Sequence, residues 1–179
     1  NVVVPSGTPF QPVLTVNSQT GNLTVTPGAS IDLGNLALGV SGSLDNGGSI
    51  GTTGTGILVL SGTGGQLLRG AVNADVTLPG SYLLNGRLTI AAPHLLAVSG
   101  TLELGGHTAE AGVLSVNGPS AVLRMLSAAD SMIVGDIATF SGASTAGLLT
   151  AGVLTVGGDL IQVNTVSNES FQASGSHKT

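Results

Sequence analysis

One short phrase recurs through the chain, and this recurrence limits the possible folds more than any other feature. Residues 152–158 read Gly-Val-Leu-Thr-Val-Gly-Gly, 112–118 read Gly-Val-Leu-Ser-Val-Asn-Gly, 100–106 read Gly-Thr-Leu-Glu-Leu-Gly-Gly, and 56–62 read Gly-Ile-Leu-Val-Leu-Ser-Gly. Each version sets apolar, often β-branched residues at alternate positions of a short run and closes the run with Gly or Asn. That pattern predicts a brief strand ending in a tight turn. Similar alternations occupy 22–25, 30–33, 36–38, 43–45, 49–50 and 57–60. Such strands are too short for an ordinary barrel, whose strands run about 5–6 residues or longer. They suit the sides of a coil.

A longer spacing points the same way. Leu23, Leu44, Leu67 and Leu88 lie 21, 23 and 21 residues apart, and Leu102 to Leu123 and Ile133 to Leu154 are each 21 apart. The phrases at 112 and 152 lie 40 apart, close to two such periods. A period of about 20 residues with three short strands in each is what a three-sided parallel β-solenoid requires. The expected fold class is therefore all-β, a single parallel β-solenoid with coils of about 20 residues, in the form of a right-handed three-sided β-helix. At about 4.8 Å per coil, eight coils would make a rod roughly 38 Å long.

Composition narrows the functions open to such a rod. Hydrophobic residues make up 41% of the chain, enough for a continuous core, while aromatic residues are only 2%. A core without rings must be thin and filled by Leu, Val, Ile and Ala. Charged residues are 7% of the chain, against about 25% in an ordinary domain. The only cations are Arg69, Arg87, Arg124 and Lys178, and the net charge is −5. No basic patch can form, so nucleic acid is not an expected partner. Cysteine is absent, which removes disulfides and thiolate metal sites. No apolar run approaches the ~20 residues needed to cross a bilayer as a helix, and membrane insertion is not expected. The chain opens at Asn1 without methionine or a signal segment. It is expected to be processed, or cut from something longer.

Three segments differ in character. In residues 1–20, Pro5, Pro9 and Pro12 separate apolar patches containing Val2, Val3, Val4, Val13 and Val16. Proline cannot donate to a central ladder, so this segment is expected to be an N-terminal arm or cap, with the capacity for strand exchange. Residues 21–163 carry the solenoid rhythm. Residues 164–179 are a polar tail or an incomplete last coil, with Val166 and Phe171 as its large apolar residues. Within the solenoid, 119–134 is the one stretch where a helix competes, because Val122, Leu126, Ala129 and Ile133 could share a helical face behind Pro119. The preferred reading is a strand over 121–126, a turn over 127–130 and a strand over 132–135.

The runs 100–108 (Gly-Thr-Leu-Glu-Leu-Gly-Gly-His-Thr), 125–140 with its Ala-Ala-Asp centre and Ser-Met-Ile-Val-Gly, and 140–162 resemble the Gly-rich β-helical repeats of secreted bacterial surface proteins. The style is that of filamentous-haemagglutinin and adhesin passengers, and the resemblance covers nearly all of the chain from about residue 21. It implies a repeat architecture and a secreted or cell-surface location, in a group that includes adhesins and fibre subunits. It implies no particular activity.

Signatures of chemistry are sparse. There is no Gly-x-Ser-x-Gly elbow, and His94, His107 and His177 sit in separate contexts, His107 as a turn residue. No His-Glu-x-x-His pairing, calcium loop or Gly-Lys-Ser/Thr phosphate cradle occurs, so neither metal nor cofactor is expected. Thr24-Val25-Thr26 and Thr53-Gly54-Thr55 are not repeated in later coils, which disfavours an ice-binding face. Asp136 and Asp159, 23 residues apart and each following a glycine, are the best candidates for carboxylates stacked on neighbouring coils, as a polysaccharide-degrading β-helix enzyme would need. Their simpler role is to accept backbone N–H groups at turns.

The expected function is therefore that of a non-enzymatic structural protein of the extracellular surface, a stalk segment or subunit of a self-associating fibre or adhesin. Its partner would be itself, joined end to end or by strand exchange through Val2, Val3, Val4, Val13, Val16, Val166 and Phe171. The alternatives are a polysaccharide-binding module for a cell-surface glycan, although Phe10, Tyr82, Phe140 and Phe171 are the only rings available to it, and the stacked-aspartate enzyme.

Overall fold

The computed structural model describes all 179 residues as short strands joined by turns, with no helix. Every named strand pairing is parallel and joins one coil to the next. The result is a β-solenoid with three ranks of strands. The third rank forms a separate eight-stranded sheet, made by Ser18–Thr20, Ala37–Val40, Ile57–Leu60, Asp75–Leu78, Leu95–Val98, Val113–Gly118, Ala138–Gly142 and Leu160–Gln162. Its inward side shows why alternation builds this fold. Leu38, Leu58, Val76, Leu96, Leu114 and Ala138 stand above one another as one buried column. Val40, Leu60, Leu78, Val98, Val116 and Phe140 form the next. Each full burial of such a side chain contributes about 1.5–3 kcal/mol, and the period of two keeps the residues between them facing water.

The first and second ranks belong to one eleven-stranded sheet. They join because the strands Leu44–Gly51, Gln66–Asn73 and Ser81–Ile90 run for 8, 8 and 10 residues through the corner instead of stopping at it. Glycine makes this corner possible. Gly70 has φ +122°, and a Cβ there would lie 2.2 Å from the Asn46 carbonyl oxygen, so no other residue can pass the bend at that distance. The inward columns of these ranks are Leu23, Leu44, Leu68 and Leu84 on one side of the corner and Ile31, Ile50, Val72 and Ile90 on the other. With the third rank they form a single core of 38 buried residues. Tyr82 and Phe140 are its two fully buried rings.

Several expectations about detail are corrected. Leu67 points outward and is 43% exposed; its neighbour Leu68 pairs with Leu44. Leu88 pairs with Gly70 and Ala109, beyond a register break that separates it from Leu84. Met132, not Ile133, stands under Leu154. The coils vary in length at their corners, so a fixed spacing drifts by one residue and lands on the wrong side of a strand. The phrase at 113–118 lies on the third rank and the one at 153–156 on the second, so it marks a strand and not a whole coil. The stretch 119–134 is not helical: Val122–Arg124 and Ser131–Val134 are strands on either side of a turn.

Candidate functional site at the ends of the coil stack

The flanks of the rod are occupied with holding coils together. At the corners, a polar side chain accepts a backbone N–H from the following coil. Asn17 accepts from Ala37 at 2.9 Å, Asn22 from Ser43 at 2.9 Å, Asn35 from Thr55 at 3.0 Å and Asp75 from Leu95 at 3.0 Å. Asp130, almost fully buried, accepts the N–H of Gly106 on the preceding coil at 2.6 Å and that of Ser127 in its own turn at 2.9 Å. All three arginines are paired with a carboxylate one coil away: Arg69 with Asp45 at 2.7 Å, Arg124 with Glu103 at 2.9 Å, and Arg87 with Glu110. These pairs are well exposed and screened by solvent, so they add little to stability. Their larger effect is to leave no free arginine on the flanks.

The ends of the stack differ. Val2 and Val4 pair with Leu23 and Val25 and so continue two inward columns to the first level. Val4 is only 4% exposed and belongs to the core, whereas Val3 is 62% and Phe10 87% exposed. Val13 joins Asp32 by a single bridge, and Val16 is exposed beside it. The proline-rich segment thus forms the first coil, around an apolar hollow of about 180 Å³ whose walls include Val2, Val4, Pro12, Leu14 and Leu38. At the other end, Leu160 stands on Ala138 as the last member of its column, half-exposed. Residues 164–179 form a partial coil: Ala173 bridges to Leu149 and Lys178 to Val153. Val166 is exposed, while the Phe171 ring packs 5.0 Å from that of Phe140. The buried Ser170 hydroxyl donates to the Phe140 carbonyl at 3.0 Å.

The chain matches no known family model, no curated protein and no solved structure. Its chemistry has to be judged from its own geometry.

Asp136 and Asp159 occupy one corner on successive coils, where the Asp159 carbonyl accepts the N–H of Ala138 and the Asp136 carbonyl that of Gly158. Both side chains are exposed, and neither carboxylate takes part in a hydrogen bond or an ion pair. The histidines lie apart. His94 places Nδ1 3.3 Å from Asp75, His177 directs Nδ1 at the Ala151 carbonyl at 2.9 Å, and His107 follows a turn. No group of three or more His, Asp or Glu converges as metal ligands would.

Unpaired strand edges and uncovered apolar residues therefore come together at the two ends. Of the residues expected there, Val2, Val3, Val13, Val16 and Val166 are exposed, and Val4 and Phe171 face inward. Sequence reasoning missed Phe10, Leu160, Ile161 and Val163, all exposed or half-exposed. Leu160-Ile161-Gln162-Val163 reads like any interior strand, and only the count of coils shows that it is the last of its rank.

Proposed function

We propose that this chain is a non-enzymatic structural element of the extracellular surface, which extends by stacking further coils on its ends, with a second copy of itself as the partner. The observation that carries this reading is the state of the end columns. Val2 and Leu160 close inward columns at opposite ends and remain half-exposed, beside strand edges with free backbone donors and acceptors. Natural proteins blunt such edges with charge, bulges or covering segments. Here the nearest ionisable side chains are few, and the arginines are all engaged on the flanks. A second coil stack placed on either end would cover apolar surface and extend the ladder, as β-augmentation does. A net negative charge and the absence of a basic patch disfavour lateral binding to polyanions and leave growth along the axis open. The resemblance to secreted repeats supports an extracellular location.

The test is sedimentation velocity with negative-stain microscopy over a concentration series. Particles are expected to lengthen with concentration at constant width. Leu160→Lys and Val2→Lys each place a charge on an end column and should shorten them, while the coil fold persists by circular dichroism. A particle that stays monomeric at the highest concentration reached overturns the proposal.

A further inference from the structure

The flank carries one interruption of its own pattern. On the outward side of the second rank, Asp32, Gly51 and Asn73 stand in register on three successive coils. Gly51 has no side chain, so a hollow of about 240 Å³ opens between Asp32 and Asn73, which lie two coil spacings apart, roughly 9–10 Å. Ser30 and Ser49, also in register, form one side of it, and Thr52 and Thr53 the other. Gly51 is not held there by backbone strain. Its φ is not in the left-handed region, and a Cβ would meet Asn73 Cβ and the Asn73 carbonyl at 3.6 Å, an ordinary contact.

At several other corners polar side chains are committed to the next coil, as Asn17, Asn22, Asn35 and Asp75 are. Around this hollow they are not: the Asn73 carboxamide and the Ser30 and Ser49 hydroxyls make no hydrogen bond within the chain. Asp32 is fixed from behind, Oδ1 accepting the N–H of Gly34 at 2.9 Å and of Thr53 at 3.1 Å, and Oδ2 the Thr53 hydroxyl at 3.0 Å. Those bonds, Gly34 first, hold its carboxyl below the usual carboxylate range, and Oδ2 keeps acceptor capacity towards the hollow. Thr53 is held in turn, because the Thr52 hydroxyl donates to the Gly34 carbonyl and accepts the N–H of Gly54 at 3.0 Å and of Gly56 at 3.1 Å.

We infer that this hollow is a binding site for one neutral sugar ring with two adjacent free hydroxyls. The chemistry selects that class. A fixed carboxylate accepts from hydroxyls, and across the hollow a free carboxamide and two serines both donate and accept. Phosphates, sulfates and uronates would meet the Asp32 charge with no cation among the lining residues. A peptide side chain would find only Ile31 as an apolar wall. A divalent cation would have a single carboxylate that already accepts three hydrogen bonds. Without a ring to stack on, the site holds its ligand by hydrogen bonds alone, so affinity is weak and selectivity rests on the placement of hydroxyls. The site lies on the flank and does not depend on association of the ends.

The experiment is a ¹H–¹⁵N NMR titration with methyl α-mannopyranoside, methyl β-galactopyranoside and methyl β-glucopyranoside, with glucuronate as the charged control. At least one neutral glycoside should shift the amides of Gly51, Thr52, Thr53 and Asn73 in a saturable way, and glucuronate should bind less tightly. Gly51→Val fills the hollow, and Asn73→Ala removes one wall. Each should weaken binding at least about tenfold, a loss of roughly 1.4 kcal/mol, while amide signals elsewhere keep their positions. The inference is overturned if no neutral glycoside moves these amides, if the shifts fall elsewhere, if glucuronate binds equally well, or if both variants bind as the parent does.

Discussion

The Tyr82 hydroxyl lies inside the stack and ties three levels of it together. Its single proton is shared between the carbonyls of Val40 and Gly42, each 2.9 Å away, and its oxygen accepts the N–H of Gly62 at 3.1 Å. Tyr82→Phe leaves those groups without their partner in a water-free place and is expected to lower stability by about 1–3 kcal/mol in denaturant unfolding. Burial pushes the Tyr82 hydroxyl up, and the Gly62 N–H draws it part of the way back. The contribution of this bracket is therefore complete below the ordinary tyrosine value and is lost as pH rises through the elevated one. Asp32 behaves in the opposite sense. Its carboxyl is lowered, by the Gly34 N–H first and then that of Thr53, so its contribution is present above the ordinary carboxylate value and fades as pH falls through the depressed one. Carboxyl NMR titration should find Asp32 among the last side chains to protonate. Neither role was legible in the sequence. Tyr82 stood as one of four rings with nothing to mark its partners, which lie 20 to 42 residues away on other coils, and the hold on Asp32 depends on Thr53, 21 residues on, as well as on nearby Gly34.

Strands were the most legible feature and corners the least. Alternation identifies short strands wherever one face is buried, and 57–60, 95–98, 113–116 and 153–156 all fall within strands. What alternation does not contain is the length of each corner, and corner length decides which residue of one coil lies over which residue of the next. Leu67 and Leu68 show the difference: both are leucine, one faces water and the other the core. The same gap in information hid the Gly51 hollow, since no sequence rule places Asp32 and Asn73 on either side of it. Glycines, too, look alike until the coils are stacked. Gly70→Ala would drive a Cβ into the Asn46 carbonyl at a bend with positive φ and should cost well over 1 kcal/mol. Gly51→Ala, at an unstrained position, should be neutral or slightly stabilising. Paired thermal melts of the two variants check this contrast.

The molecule as a whole has a direction. Apart from the Tyr82 hydroxyl, which reaches two coils back, the strand ladders join each coil only to the coils before and after it, so stability accumulates along the axis close to a nearest-neighbour sum, and the ends are the weakest levels. Hydrogen exchange should accordingly be fastest in 1–20 and 164–179 and slowest in the middle coils, near Val76 and Leu96; uniform protection from end to end would contradict the stacked description. The ladder bonds also run parallel to the axis, and this gives the rod a mechanical character. A coil occupies about 4.8 Å of length while folded, yet its ~21 residues reach roughly 70 Å when drawn out. Tension along the axis would detach one level at a time, each release paying out far more chain than the height it gives up. A tether made of such coils lengthens stepwise under load before it breaks.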